Sequence, residues 1–190
     1  YSTSLLSDIK RDINFSSNGR NSLSNTNNFR SKITNTIDYN TKDIYSKKGF
    51  VNNFGIFLKN LNATGKNDEK YKSSIQSEIL NINEINTKMP MIKFNEKHIN
   101  YITPKMSFRI NPSDMKDSSS ESRILTTDNI FNINRLGLSD SYETGKSLTL
   151  GIDFKKEDKI ELEKYLEIKL ATILRDTEED KIPKSSSANR

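Results

Sequence analysis

The chain has 190 residues and a formal net charge of +5, from 30 Lys and Arg against 25 Asp and Glu. Only 32% of its residues are hydrophobic, short of the roughly 45–50% of ordinary soluble domains, so a compact globule would struggle to offset its chain entropy by burial. The absence of cysteine excludes disulfides and thiolate metal sites within the chain. No apolar run reaches the ~18 residues of a membrane helix, and the basic residues are neither clustered nor interleaved with aromatics as a nucleic-acid face requires.

Residues 2–15 read as a weak strand, and Asn18-Gly19 after it is a turn signal. Residues 29–40 carry Phe29, Ile33, Ile37 and Tyr39 on one parity against Arg30, Lys32, Thr34 and Asp38 on the other. Successive strand side chains face opposite sides, so one face is greasy and the other wet. Residues 50–60 are more mixed, with Phe54, Ile56 and Leu58 opposed to Val51 and Phe57. Residues 71–80 alternate, their extension to 94 is less regular, and Pro90 marks a bend or an edge.

The later segments are cleaner. Ile102, Pro104, Met106, Phe108 and Ile110 oppose Thr103, Lys105, Ser107 and Arg109. A long polar loop over 111–144 follows. Leu148, Leu150, Ile152 and Phe154 then alternate strictly with Ser147, Thr149, Gly151, Asp153 and Lys155. Residues 157–168 include good helix formers but read as a turn entering a strand. In the last segment Leu166, Ile168, Leu170 and Leu174 oppose Glu167, Lys169 and Arg175.

The pattern predicts an all-β chain of six to seven antiparallel strands in up-and-down order, one arc of a larger transmembrane barrel. Links near 41–49, 95–98 and 156–164 are short to moderate. Those at 16–28, 61–70, 111–144 and 176–190 are mostly longer and more polar, and such alternation suits short periplasmic turns and long external loops. The strands approach the nine to eleven residues of a tilted span. A soluble β-sandwich alternates too, with less reason to place its long loops at one end. The start at Tyr1 and the polar stop at Arg190 suggest an internal piece of a longer protein.

Sharper motifs weaken on inspection. Gly145-Lys146-Ser147 looks like the tail of a P-loop, but Asp140 stands where that loop needs Gly and the lysine opens a strand. His98 has no second histidine for a relay or a metal pair and reads as a turn residue. Asp114, Asp117, Glu121, Asp128, Asp140 and Glu143 share one loop without EF-hand spacing, which reads as a solvated acidic loop. Arg123 and Arg135 suit lipid phosphate. For Arg135 a brace to Asp140 or Glu143 fits better, because a long ordered loop needs internal polar contacts. The sequon at 62–64 reads as chance. No nucleophile–base pair appears, and no catalytic, cofactor or metal residue is assigned.

Three stretches resemble the LptD family, the lipopolysaccharide-assembly proteins of Gram-negative outer membranes. They are ITPKMSFRINPSDMKD from Ile102, NIFNINRLGLSDSYETGKSLTLGIDFK from Asn129 and YLEIKLATILRDTEEDKIPKSS from Tyr165. Asn129, Phe131, Asn134, Arg135, Gly137, Asp140, Glu143 and Gly145 stand where the family pattern has its loop residues. The resemblance implies a mid-barrel piece, 1–190, with 111–144 as a long extracellular loop, in a non-enzymatic translocon without a cofactor. It implies lipopolysaccharide as cargo, outer-membrane lipid around the wall and an LptE-like plug lipoprotein within. An LptA-like periplasmic bridge would act through an N-terminal domain this chain lacks.

On that footing Met106, Phe108, Ile110, Leu148, Leu150, Ile152, Phe154, Leu166, Ile168 and Leu170 are expected to contact lipid. Lys105, Arg109, Thr149, Asp153, Lys169 and Arg175 are expected to face the lumen. An Arg at mid-depth on the lipid side costs ~2–4 kcal/mol, so Leu150→Arg should impair assembly more than Thr149→Arg. A porin or receptor barrel and a soluble β-sandwich adhesin or carbohydrate-binding module are the alternatives.

Overall fold

A computed structural model describes residues 2–7, 11–69, 71–138, 141–161 and 163–186. Its strands are β1 (Ser2–Ser7), β2 (Arg11–Ser24), β3 (Asn28–Thr41), β4 (Ile44–Tyr45), β5 (Val51–Lys66), β6 (Gln76–Lys88), β7 (Met91–Phe94), β8 (His98–Asn111), β9 (Gly145–Asp158) and β10 (Tyr165–Arg175). The only helical element among the described residues is a 3-10 turn at Lys184–Ser186, and no described helix is long and apolar enough to cross a membrane. All pairings are antiparallel and form one sheet in the order β1-β2-β3-β5-β6-β8-β9-β10. No pairing between β1 and β10 closes it.

The sheet is a meander, as the alternating segments require. The short β4 pairs β5 beyond the end of β3, and β7 pairs β8 beyond the end of β6. Pro90 lies in the gap between β6 and β7, where Met89 N–H bonds the Pro104 carbonyl at 3.0 Å. A prolyl nitrogen has no hydrogen to give a ladder, so the strand is interrupted there.

The structure differs from the sequence reading at the N-terminal end. Eight strands lie along the main path, where six to seven were expected, because 2–15 holds parts of two strands and 16–24 continues β2. Asn18-Gly19 is not a turn: Asn18 pairs with Thr34 and Gly19 with Ile33 in an unbroken ladder. The chain reverses at 25–27, where Asn25 and Thr26 have φ of 50° and 56°. Asparagine enters this left-handed region more easily than most residues. Of the expected loop at 61–70, residues 61–66 end β5, and the link to β6 begins at 67 and extends to 75, into what was expected to be the start of the next strand.

The two faces of the sheet are unlike. On one, called covered here, the link over 112–144 and the segment 176–186 lie against β5, β6, β8, β9 and β10. Met115, Leu136, Leu138 and Ile182 form a buried cluster with Leu125 and with Ile173 of β10. Leu80 and Ile82 of β6 pack against Tyr142, with Phe57 and Ile133 alongside. Hydrogen bonds tie the two polar segments together: Ser118 N–H to Lys181 O at 2.9 Å and Arg123 N–H to Ser185 Oγ at 2.9 Å. No described segment lies on the other, bare face, whose large side chains include Ile37, Met106, Leu150, Leu166 and Leu170, all exposed.

Candidate functional site

Burial is inverted relative to a soluble sheet. The shielded face buries a charged network beside its apolar clusters, and the face left open bears large hydrocarbon side chains. Arg109, Arg135, Glu84, Glu143, Ser107, Ser147 and Thr149 are all buried beneath the loop. Bare-face Leu150, Ile152 and Leu170 remain 38%, 40% and 63% exposed.

Glu143 is the hub of the charged network. Arg135 Nε donates to its Oε2 at 2.6 Å, and Arg135 Nη2 donates to its Oε1. Arg175 Nη1 donates to the same Oε1, and Arg109 Nη1 stands 3.7 Å from Oε2. Burial pushes the Glu143 carboxyl up, but the Arg135 hydrogen bonds and the charges of Arg135, Arg109 and Arg175 outweigh it and hold it below its ordinary value.

The remaining donors are satisfied as well. Arg135 Nη1 donates to Thr149 Oγ1 at 2.8 Å and Nη2 to Ser147 Oγ at 3.0 Å. Arg109 Nη2 donates to Glu84 Oε2 at 3.0 Å and to the Asn132 carbonyl at 2.5 Å. Arg175 Nη2 donates to Thr144 O at 2.6 Å. Asn111 Nδ2 donates to Glu143 O at 2.9 Å. A buried ion is tolerated only with such a full set of partners. The network therefore clamps the loop onto three strands at once.

The other loop-signature residues shape the same link. Asn129 Oδ1 accepts from Thr126 N–H at 2.8 Å, and its Nδ2 donates to Ile124 O at 3.0 Å. Asn134 Oδ1 accepts from Leu138 N–H at 3.1 Å while its Nδ2 donates to Leu138 O at 2.9 Å. Gly137 and Gly145 have φ of 61° and 88°, values that favour glycine. Phe131 sits over Gly151, where an added Cβ would come within 2.8 Å of its ring, and Lys105 Nζ lies 5.5 Å from the ring centre. Asp140 lies outside the described residues.

Register places Lys105, Arg109, Thr149, Asp153, Lys169 and Arg175 on one face. Three of them, Arg109, Thr149 and Arg175, meet in the Glu143 network. The others pair elsewhere: Lys105 with Asp153, and Lys169 with Asp128 at 3.1 Å. Met106, Phe108, Ile110, Leu148, Leu150, Ile152, Phe154, Leu166, Ile168 and Leu170 lie on the opposite face, with Leu150 between Met106 and Thr172 and Phe154 between Ile102 and Ile168. Sequence reasoning missed Glu84 and Asn111. The available signal was Glu84 on the parity of Leu80 and Ile82, a charge among buried positions.

Of the other loop acids, Asp117 Oδ1 accepts from Ser119 N–H, Glu121 pairs with Arg123, and Asp128 reaches Lys169 of β10. No group of three or more metal-ligating side chains occurs among the described residues. His98 opens β8, with Nδ1 3.6 Å from Asp158. Lys146 stands second in β9, so Gly145-Lys146-Ser147 opens a strand.

The edge of the bare face's apolar band runs across the sheet. One row of paired residues runs Leu174, Leu148, Phe108, Ile85, Phe54 from β10 to β5. In β10 the apolar run ends on that row, with Asp176 two residues on. In β5 it continues through Ile56 to Leu58 before Asn60. The edge is stepped: it lies on that row in β10 and β9, at Ile110 in β8 and at Leu58 in β5, and it stays on the one row of Leu58, Ile37 and Phe15 across β5, β3 and β2. In β6 the polar edge comes sooner, at Asn83, while Ile33 and Ile79 stand beyond it. No family model and no curated protein matches the chain.

Proposed function

We propose that this chain is part of the wall of a transmembrane β-barrel in a Gram-negative outer membrane, and that the barrel is an LptD-type translocon delivering lipopolysaccharide to the outer leaflet. The observation that carries the reading is the inverted burial. A sheet that buries an arginine–carboxylate network on one face and leaves its leucines open on the other is stable where hydrocarbon takes the place of water on the open side.

In this reading the bare-face residues contact lipid and the covered face looks into the lumen. The end carrying 67–75, 112–144 and the segment after β10 is the external one. The 112–144 link folds inward along the wall, clamped by Glu143 beside the sugar path. The barrel's other strands, a periplasmic domain reached by an LptA-like bridge, and an LptE-like plug complete the machine. No bond is made or broken by the chain itself. Its contribution is a polar path past a hydrophobic wall.

The test is conditional depletion of the full-length protein in its host, with lipopolysaccharide at the cell surface quantified after pulse labelling. Loss of surface label with accumulation on the inner side is expected. Undiminished delivery, together with ion conductance of the purified protein in a planar bilayer, would replace the translocon with a solute-conducting barrel.

A further inference from the structure

On the bare face of β2, β3, β5 and β6 a chain of neutral polar side chains crosses four strands just beyond the apolar edge. Ser17 Oγ donates to Asn35 Oδ1 at 2.7 Å, Asn35 Nδ2 to Asn60 Oδ1 at 3.3 Å, and Asn60 Nδ2 to Ser77 Oγ at 3.3 Å. A further bond crosses from β3 to β2, Ser31 Oγ to Asn21 Oδ1 at 2.7 Å, and another runs along β6, Asn83 Nδ2 to Asn81 Oδ1 at 3.2 Å. The row on its apolar side runs Phe15, Ile37, Leu58.

This strip holds no charge. The bare-face positions of β2 from Ile13 to Leu23, of β3 from Phe29 to Tyr39, of β5 from Phe54 to Thr64 and of β6 from Ser77 to Thr87 contain no Lys, Arg, Asp or Glu. Among the charged residues of these strands only Arg11 and Lys66, at strand ends outside those spans, share this parity, and the rest fall on the other. A phosphate-reading surface needs cations. Amides and hydroxyls offer donors and acceptors side by side, the complement of sugar hydroxyls.

We propose that this strip is a binding surface for the uncharged sugar headgroup of a glycolipid whose acyl chains lie along Phe54, Ile56 and Leu58. The proposal rests on the membrane reading above and adds a lipid site on the outside of the wall. Continuity fixes the occupant: a lipid packed on the Phe15–Ile37–Leu58 row places its headgroup at the level of Asn35 and Asn60.

The purified full-length protein and its Asn35→Leu/Asn60→Leu variant are reconstituted in two bilayers. One is phosphatidylethanolamine with phosphatidylglycerol, and the other has a tenth of its lipid replaced by monogalactosyldiacylglycerol. Co-purifying lipid is then quantified after detergent extraction, with heat-modifiable electrophoretic mobility reporting the fold. The unaltered protein should enrich the galactolipid at least threefold over its bulk fraction, and the folded variant should show none of that enrichment. Equal enrichment in both, or none in either, overturns the sugar site while leaving the membrane reading intact. Failure of the unaltered protein to insert into either bilayer sinks that reading itself. Should the double variant not fold, Ser77→Cys carries the test through a bimane label, and quenching by galactolipid spin-labelled at its headgroup should exceed quenching by phospholipid labelled likewise. Equal quenching overturns the proposal.

Discussion

One carboxylate anchors the folded-back link. Glu143 answers three arginines from three elements, so its removal leaves Arg109, Arg135 and Arg175 without a shared counter-charge in a site closed to water. Removing one partner of a buried pair costs ~3–5 kcal/mol. Glu143→Gln should therefore release residues 112–144 and lower the thermal unfolding midpoint, with limited proteolysis mapping the new cuts to that link. A pH dependence accompanies it. The folded carboxyl titrates below its ordinary value of 4.5, so its stabilisation is complete above 4.5 and is lost as pH falls through the depressed value. The midpoint should hold level from neutrality to about 4.5 and drop below it, and Glu143→Gln should flatten much of that drop. An unchanged acid profile in the variant would remove Glu143 from its role.

Among the elements, the strands were legible because period-two alternation marks each of them directly. β8, β9 and β10 carry their apolar residues on one parity with few breaks, and the structure pairs them residue for residue. β2 was half lost because Asn18-Gly19 imitates a turn, and only pairing with β3 reveals a strand there. The loop was legible as a signature but not as a fold-back, since nothing local in 112–144 states that Phe131 reaches Gly151. That contact is a knob on a gap in the strand: a Cβ at 151 would also meet the Leu170 carbonyl at 3.2 Å. Gly151→Ala should then cost about 1–3 kcal/mol, the usual toll of overpacking. Combining it with Phe131→Leu should recover part of that loss, as residues in contact do not add. A strictly additive double-mutant cycle in thermal unfolding would show that the two do not touch.

For the whole molecule the decisive contrast is between the faces. The sequence-based comparison of Leu150→Arg with Thr149→Arg looked like a clean pair of lipid and lumen sites. The structure spoils the control: Thr149 is 2% exposed and accepts a hydrogen bond from Arg135, so an arginine there meets a like charge in a filled site. Thr103, on the same face and opposite Asp153, is only half-buried and has a carboxylate at hand. Leu150 stands within the apolar band, paired with Met106 on one side and Thr172 on the other. If hydrocarbon bathes this face, Leu150→Arg carries the ~2–4 kcal/mol penalty of a mid-depth charge and Thr103→Arg carries little. Assembly yield in outer-membrane fractions, read by heat-modifiable mobility, should fall several-fold for the first and stay near the unaltered protein for the second. In detergent-free buffer the ranking has no reason to appear, because an arginine on a water-exposed sheet face is cheap. Equal yields of the two variants would mean that water or another protein layer, and not lipid, meets the bare face.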